Sequence, residues 1–204
     1  MKIPMTTIIF DLGGVLLDWN PHRLYAPFFK SQPEIDQFLR EIDFAAWNAR
    51  QDAGRPFAEG VATLSAEFPH YADLIRAYHE NWEDSVPGPI EGTVVLLKRL
   101  KQAGHALYAL TNFSAETFPI MRRRYKFLQL FEYILVSGEV GMIKPDPAIY
   151  RLMLEKIERP ASECLFIDDS PANIAAAHGL GFDTIRFQSP AGLESELKER
   201  KLLA

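Results

Sequence analysis

Short apolar runs punctuate the chain, and their spacing divides it. Thr6 to Phe10 (TTIIF) is continuous, apolar and rich in β-branched residues, which is the pattern of a strand buried on both faces. Ala106 to Leu110, Tyr133 to Val136 and Cys164 to Ile167 repeat it, and Asp183 to Phe187 is a weaker fifth run. Between the later runs the rhythm becomes helical. Ile90, Val94, Leu97 and Leu100 share one helix face, with Gly104 as a stop. Ser114 is a candidate N-cap for a helix over 115–124, and Ile149, Leu152, Met153 and Ile157 mark another helix. Ser170-Pro171 and Ser189-Pro190 each set a capping Ser before a Pro at the first helical position. Strands alternating with helices from residue 90 onward predict an α/β fold, a parallel sheet covered by helices.

Residues 21–87 break the alternation. They carry helix-like patterns without a convincing strand, and Pro21, Pro33, Pro56 and Pro69 fall at helix-start positions. Val86-Pro87-Gly88-Pro89 reads as a hinge. The predicted organisation is a core of residues 1–20 and 88–204, with a helical segment, 21–87, inserted after the first strand.

Composition narrows the class. Of 204 residues, 48% are hydrophobic and 24% charged, which fits a globular protein and excludes a disordered or collagen-like chain. Lys plus Arg number 22 against 27 Asp plus Glu, a net charge of −5. That balance argues against a general nucleic-acid binder. The single cysteine, Cys164, cannot form an internal disulfide and suits a reducing compartment. Asp11 interrupts the first apolar stretch, so neither a secretory core nor a membrane span is expected, and a cytoplasmic location is.

The chemistry collects where four predicted strands end, the edge at which open parallel sheets bind ligands. Asp11-Leu12-Gly13-Gly14 follows the first strand and Thr111-Asn112 the second. A Gly-containing loop, Gly138 to Gly141, leads from the third to Lys144-Pro145, and Asp168-Asp169-Ser170 follows the fourth. Taken singly, each has an ordinary explanation as a turn, a cap or a solvated loop. Four compatible strand ends are harder to explain by accident. Clustered carboxylates repel unless a cation lies among them, and hard oxygen ligands suit Mg²⁺. With a nearby Lys they make a place where a carboxylate can attack a phosphate dianion.

Four segments carry a resemblance: IIFDLGGVLLDWNP at 8–21, ALTNFS at 109–114, SGEVGMIKPDPAIY at 137–150 and FIDDSPANIAAA at 166–177. In order and spread, the chain resembles the haloacid dehalogenase-superfamily hydrolases that carry a helical cap after the first strand. The resemblance implies a Rossmann-like sheet of strand order 5-4-1-2-3. It implies Asp11 as the nucleophile that becomes an aspartyl-phosphate and Thr111, with Asn112 beside it, as phosphate holders. Lys144 would stabilise nucleophile and phosphoryl group, and Asn173 would support the acidic loop. Asp11, the Gly13 carbonyl, Asp168 and Asp169 would hold Mg²⁺. The expected partner is a small phosphorylated metabolite.

One position departs from that family. Its phosphatases carry a second Asp two residues after the nucleophile, which protonates the leaving oxygen and later activates water. Here it is Gly13, and general acid–base help is worth about 10²–10⁴-fold. Three readings follow. One is a phosphatase of esters with an easy leaving group, such as a sugar 1-phosphate or an acyl phosphate. Another is a 2-haloacid dehalogenase, whose halide leaves without a proton. The third is a weak or non-catalytic binder of phosphorylated ligands or a protein partner. Asp168-Asp169 favours the first over the second, because two uncompensated carboxylates would blunt a metal-free nucleophile.

Smaller signals add little. Asp18 and His22 either support the first inserted helix or replace the missing acid. Trp19, Trp47 and Trp82 read as buried apolar mass, and Arg122-Arg123-Arg124 as a solvated helix end. The histidines lack metal-ligand spacing. Gly138-x-x-Gly141-x-x-Lys144 is no nucleotide P-loop, and no serine-hydrolase elbow is present.

Overall fold

A computed structural model describes residues 6–203. Five strands, β1 (Thr7–Phe10), β2 (Ala106–Thr111), β3 (Tyr133–Val136), β4 (Cys164–Asp168) and β5 (Asp183–Arg186), form one sheet in the order β3-β2-β1-β4-β5. Every pairing is parallel. This is the predicted α/β architecture and strand order. β1 lies at the centre, with Phe10 level with Ala109 on one side and Ile167 on the other. The end of β1 is therefore flanked by the ends of β2 and β4.

Alternation along the strands separates two cores. Ile8, Phe10, Leu165 and Ile167 point into one and Ile9, Cys164 and Phe166 into the other. The first is closed by α6 (Glu91–Gln102) and α11 (Pro190–Glu199), the second by α9 (Pro147–Ile157) and α10 (Pro171–Gly179). Caps follow the sequence. Ser170 Oγ accepts from Asn173 N and Ser189 Oγ from Gly192 N, each with Pro in the first turn.

Three local expectations shift. The helix expected over 115–124 is α7 (Phe118–Arg124), because Ser114 Oγ accepts from Glu116 N in a turn instead of opening a helix. The loop expected at 138–141 is one helical turn, α8 (Ser137–Val140), ended by Gly141 at φ 69°. β5 is an edge strand with only Ile185 fully buried, which is why its apolar run was weak.

Between β1 and α6 lie five α-helices, α1 (Pro21–Tyr25), α2 (Gln32–Glu41), α3 (Phe44–Asp52), α4 (Phe57–Glu67) and α5 (Ala72–Glu80), followed by a short 3-10 helix, Trp82–Ser85. No described residue from 21 to 85 is in a strand. These helices meet around rings: Tyr25 lies edge-on to Phe38 at 5.0 Å, and Phe44 edge-on to Tyr78 at 4.9 Å. The segments entering and leaving this insert run side by side. Asp18 N donates to Gly88 O, Asn20 N to Ser85 O and Ile90 N to Leu16 O, at 2.7–3.0 Å.

Candidate active site

The carboxyl edge gathers the predicted residues. Asp11 follows directly on β1, and its backbone N–H extends the ladder to Ile167 O at 2.8 Å. The chain then turns sharply, since Leu12 O accepts from both Leu16 N and Leu17 N at 2.8 Å. Gly14, at φ 72°, makes that turn. A Cβ there would stand 2.6 Å from Asp169 Oδ2, so the glycine lets the two loops approach.

Lys144 joins the carboxylates. Its Nζ lies 2.9 Å from Asp11 Oδ1 and 2.7 Å from Asp168 Oδ2, in a buried setting, and 5.5 Å from the centre of the Phe166 ring. Burial opposes the lysine's charge, but Asp11 and Asp168 outweigh it and hold its pKa above the ordinary value. Asn112 brings the lysine here: Lys144 N donates to its Oδ1 at 2.8 Å and its Nδ2 donates to Lys144 O at 2.9 Å. The Asn112 amide, expected beside the phosphate, is thus engaged by backbone.

Asp168 is fully buried and well supplied. Its Oδ1 accepts from Ser170 N at 2.8 Å and Asn173 Nδ2 at 3.0 Å, and its Oδ2 accepts from Lys144 and, at 3.1 Å, Asn173 Nδ2. Asn173 therefore supports the acidic loop, as expected. Asp169 faces the other way, into a cavity of about 360 Å³ that Asp11, Gly13, Gly14 and Asn112 also line. Thr111, the last residue of β2, is buried, and its Oγ1 has no hydrogen-bond partner among the described residues. A buried hydroxyl left this way suits a ligand that accepts from it.

Charge at this edge is out of balance. One carboxylate oxygen from each of Asp11, Asp168 and Asp169 falls within 4.8 Å of the others, against one lysine. Asp11 is pushed up to about 7, first by burial, with Lys144 opposing and Asp168 adding. Asp169 is raised by burial and then by Asp168. Three oxygens at this spacing with a deficit of positive charge fit a divalent cation of hard character.

The opposite wall comes from the insert, with Asn48, Asp52, Tyr78 and Trp82 lining the same cavity, joined by Trp19 on the segment that enters it and by Phe113 and Thr117 from the core. Two of the three tryptophans thus meet the cavity, and only Trp47 is purely core. Asp18 and His22 do not reach it. Asp18 pairs with Arg23 at 3.1 Å, and His22 pairs with Asp36 at 2.7 Å and contacts Asn20. Sequence reasoning missed Asn48, Asp52 and Tyr78. The available signal was two polar residues one helical turn apart, Asn48 and Asp52, just before Gly54. A larger cavity of about 590 Å³ lies at the amino end of the sheet among Thr7, Ala106, Cys164 and Asp183. It has none of the converging acids, and ligands of parallel sheets bind at the other end.

A parallel sheet with three aspartates and a buried lysine meeting at its carboxyl edge marks an α/β enzyme of the hydrolase type. The model of the haloacid dehalogenase-like hydrolases matches residues 5–181, and the chain belongs to that family. It is 30% identical over 200 residues to the sesquiterpene phosphatase astK of Aspergillus oryzae, covering 94% of each chain. It is 32% identical over 196 residues to the drimenol cyclase drtB of Aspergillus calidoustus, of which it spans only 35%. A haloacid dehalogenase family enzyme from Bacteroides thetaiotaomicron, crystallised with magnesium and inorganic phosphate, shares the fold with a TM-score of 0.69. That match has 23% identity and covers 91% of this chain and 96% of that one.

Proposed function

We propose that the chain is a Mg²⁺-dependent phosphatase that hydrolyses a small phosphate monoester, such as a sugar phosphate, through an aspartyl-phosphate on Asp11. One observation supports this reading: three carboxylates converge on one spot with a buried lysine, at the strand edge where the buried Thr111 hydroxyl has no hydrogen-bond partner among the described residues. The phosphatase relative and the magnesium- and phosphate-bound neighbour support it.

Asp11 Oδ1 is held by Leu12 N at 2.7 Å and by Lys144, so its other oxygen is the one available for attack on phosphorus. Lys144 Nζ and Thr111 Oγ1 would hold the phosphoryl oxygens as their charge grows. Asp11, Asp169 and the Gly13 carbonyl line the cavity and would hold Mg²⁺ directly. Asp168 would complete that set with an oxygen at the same spot and also fix the lysine. When bound, the ion supplies neutralisation, so that a dianionic ester can approach a carboxylate. The rings of Trp19, Tyr78, Trp82 and Phe113 would face the carbon body of the ester, and closure of the insert over them would exclude water.

Phosphate esters and 2-chloropropionate, offered with and without Mg²⁺, test the reading. Phosphate release that requires Mg²⁺ is expected, with Asp11→Asn lowering it about 10⁴-fold or more. A Mg²⁺-induced rise in melting temperature that Asp169→Asn abolishes is expected alongside. Chloride release without metal would replace this reading with the dehalogenase one, and binding of phosphate ligands without turnover of either class would replace it with a non-catalytic one.

A further inference from the structure

The core leaves proton transfer unassigned: Gly13 has no side chain, and Asp18 and His22 are held elsewhere. On the insert wall, one carboxyl looks into the same space. We propose that Asp52 supplies the proton transfers that Gly13 cannot, first as acid to the leaving oxygen and then as base to the attacking water. This rests on the phosphatase reading above.

Placement carries the assignment. Asp52 is the last residue of α3, and Asn48 stands one turn before it on the same face. Both line the cavity with Asp11, Gly13 and Asp169. A Cβ built on Gly13 meets nothing within 4 Å, so the room an aspartate would fill there is open, and Asp52 borders the same cavity.

The carboxyl is also held in place. Tyr78 Oη donates to Asn48 Oδ1 at 3.1 Å, and Asn48 Nδ2 donates to Asp52 Oδ2 at 2.9 Å. The Ser114 backbone N–H also donates to this carboxyl, which borders the cavity where a substrate oxygen would lie. The backbone is tied to the core, since Ser137 Oγ donates to Asp52 O at 2.5 Å and Phe57 N donates to Glu116 Oε1 at 2.9 Å. The insert thus seats Asp52 against the loops that carry Asn112 and Lys144.

Among the described residues Asp52 makes no ion pair. It sits at the carboxyl end of a helix, where the dipole disfavours a negative charge. Burial pushes its pKa up to about 7, Asp11 adds to the rise, and the Ser114 backbone offsets part of it. A carboxyl poised there serves as acid or base near neutral pH. An uncompensated acid in this setting costs stability, and a role in the reaction accounts for its presence.

The steps balance. As the Asp11 oxygen bonds to phosphorus, the bond from phosphorus to the ester oxygen breaks, and the Asp52 proton passes to that oxygen. Water oxygen then bonds to phosphorus, the bond from phosphorus to the Asp11 oxygen breaks, and a water proton returns to Asp52.

Leaving-group dependence tests the assignment. Wild type and Asp52→Asn are compared, with Mg²⁺, on glycerol 2-phosphate and on p-nitrophenyl phosphate, whose leaving group needs no proton. The variant should lose about 10²–10⁴-fold on the alkyl ester. On the aryl ester it should show a fast burst of nitrophenol followed by slow turnover, because only the second step then lacks its base. Adding Gly13→Asp to Asp52→Asn should restore at least tenfold on the alkyl ester, a recovery that a folding defect would not allow. Equal losses on both esters without a burst would overturn the assignment as merely structural, and so would unchanged rates. Wild-type protein that releases phosphate from neither ester would remove the phosphatase reading itself, and this assignment with it.

Discussion

The two walls of the cavity are built in opposite ways. On the sheet side the buried charged groups have partners: Asp168 accepts from Lys144, Ser170 and Asn173, and Asn112 clamps the lysine backbone. On the insert side rings predominate, and the single carboxyl has only neutral donors around it. A saturated network resists movement and holds charge in one geometry. On the proposed reading, a wall of rings with one acid that lacks a cation would recognise the remainder of a ligand and supply a proton. That reading would assign the reacting group and the selection of its carrier to different parts of the chain.

Lys144→Ala should widen the contrast most. It strips the buried Asp168 of the one cation that pairs with it among the described residues, which costs about 3–5 kcal/mol, and it should lower phosphate release about 10³-fold or more. Urea midpoints and initial rates measure both effects. Unchanged stability would mean that Asn173 and Ser170 alone suffice for Asp168. Trp19→Ala, on the opposite wall, should act on recognition: a rise in KM of about 3–10-fold with kcat within about twofold. A fall in kcat at constant KM would place Trp19 in the chemistry instead. Asp18→Asn should do least. Its pair with Arg23 is solvent-exposed on both sides, so melting should move by no more than about a degree and turnover should stay within about twofold. A tenfold drop would restore Asp18 as a candidate acid.

The same contrast explains what was legible beforehand. The sheet wall is written in short segments: a strand is a continuous apolar run, and its functional residue comes directly after it, as with Asp11 and Asp168. Thr111, at the end of β2, follows the same logic, because parallel strands deliver their ends to one edge, whereas Lys144 reaches it through the helical turn and loop after β3 that Asn112 holds. The insert wall depends on how helices pack. Asn48, Asp52 and Tyr78 come from α3 and α5, and nothing local says that the end of α3 turns toward Asp11 and not toward water. Trp82 lines the cavity while almost wholly buried, so burial and ligand contact are not alternatives there. Ser114 misled because a hydroxyl before a helix-like stretch can cap a turn as readily as a helix.

The paired segments at 16–20 and 85–90 have one more consequence. Exit and re-entry lie within backbone hydrogen-bonding distance of each other, so the sheet sees the insert as a closed loop hung from a single stalk. Its length and helix content are then free to drift without disturbing strand register, since the span to be bridged stays the same. If the insert selects the substrate as proposed, an exchange of that segment at the neck would alter selection while leaving the sheet and its acidic edge in place.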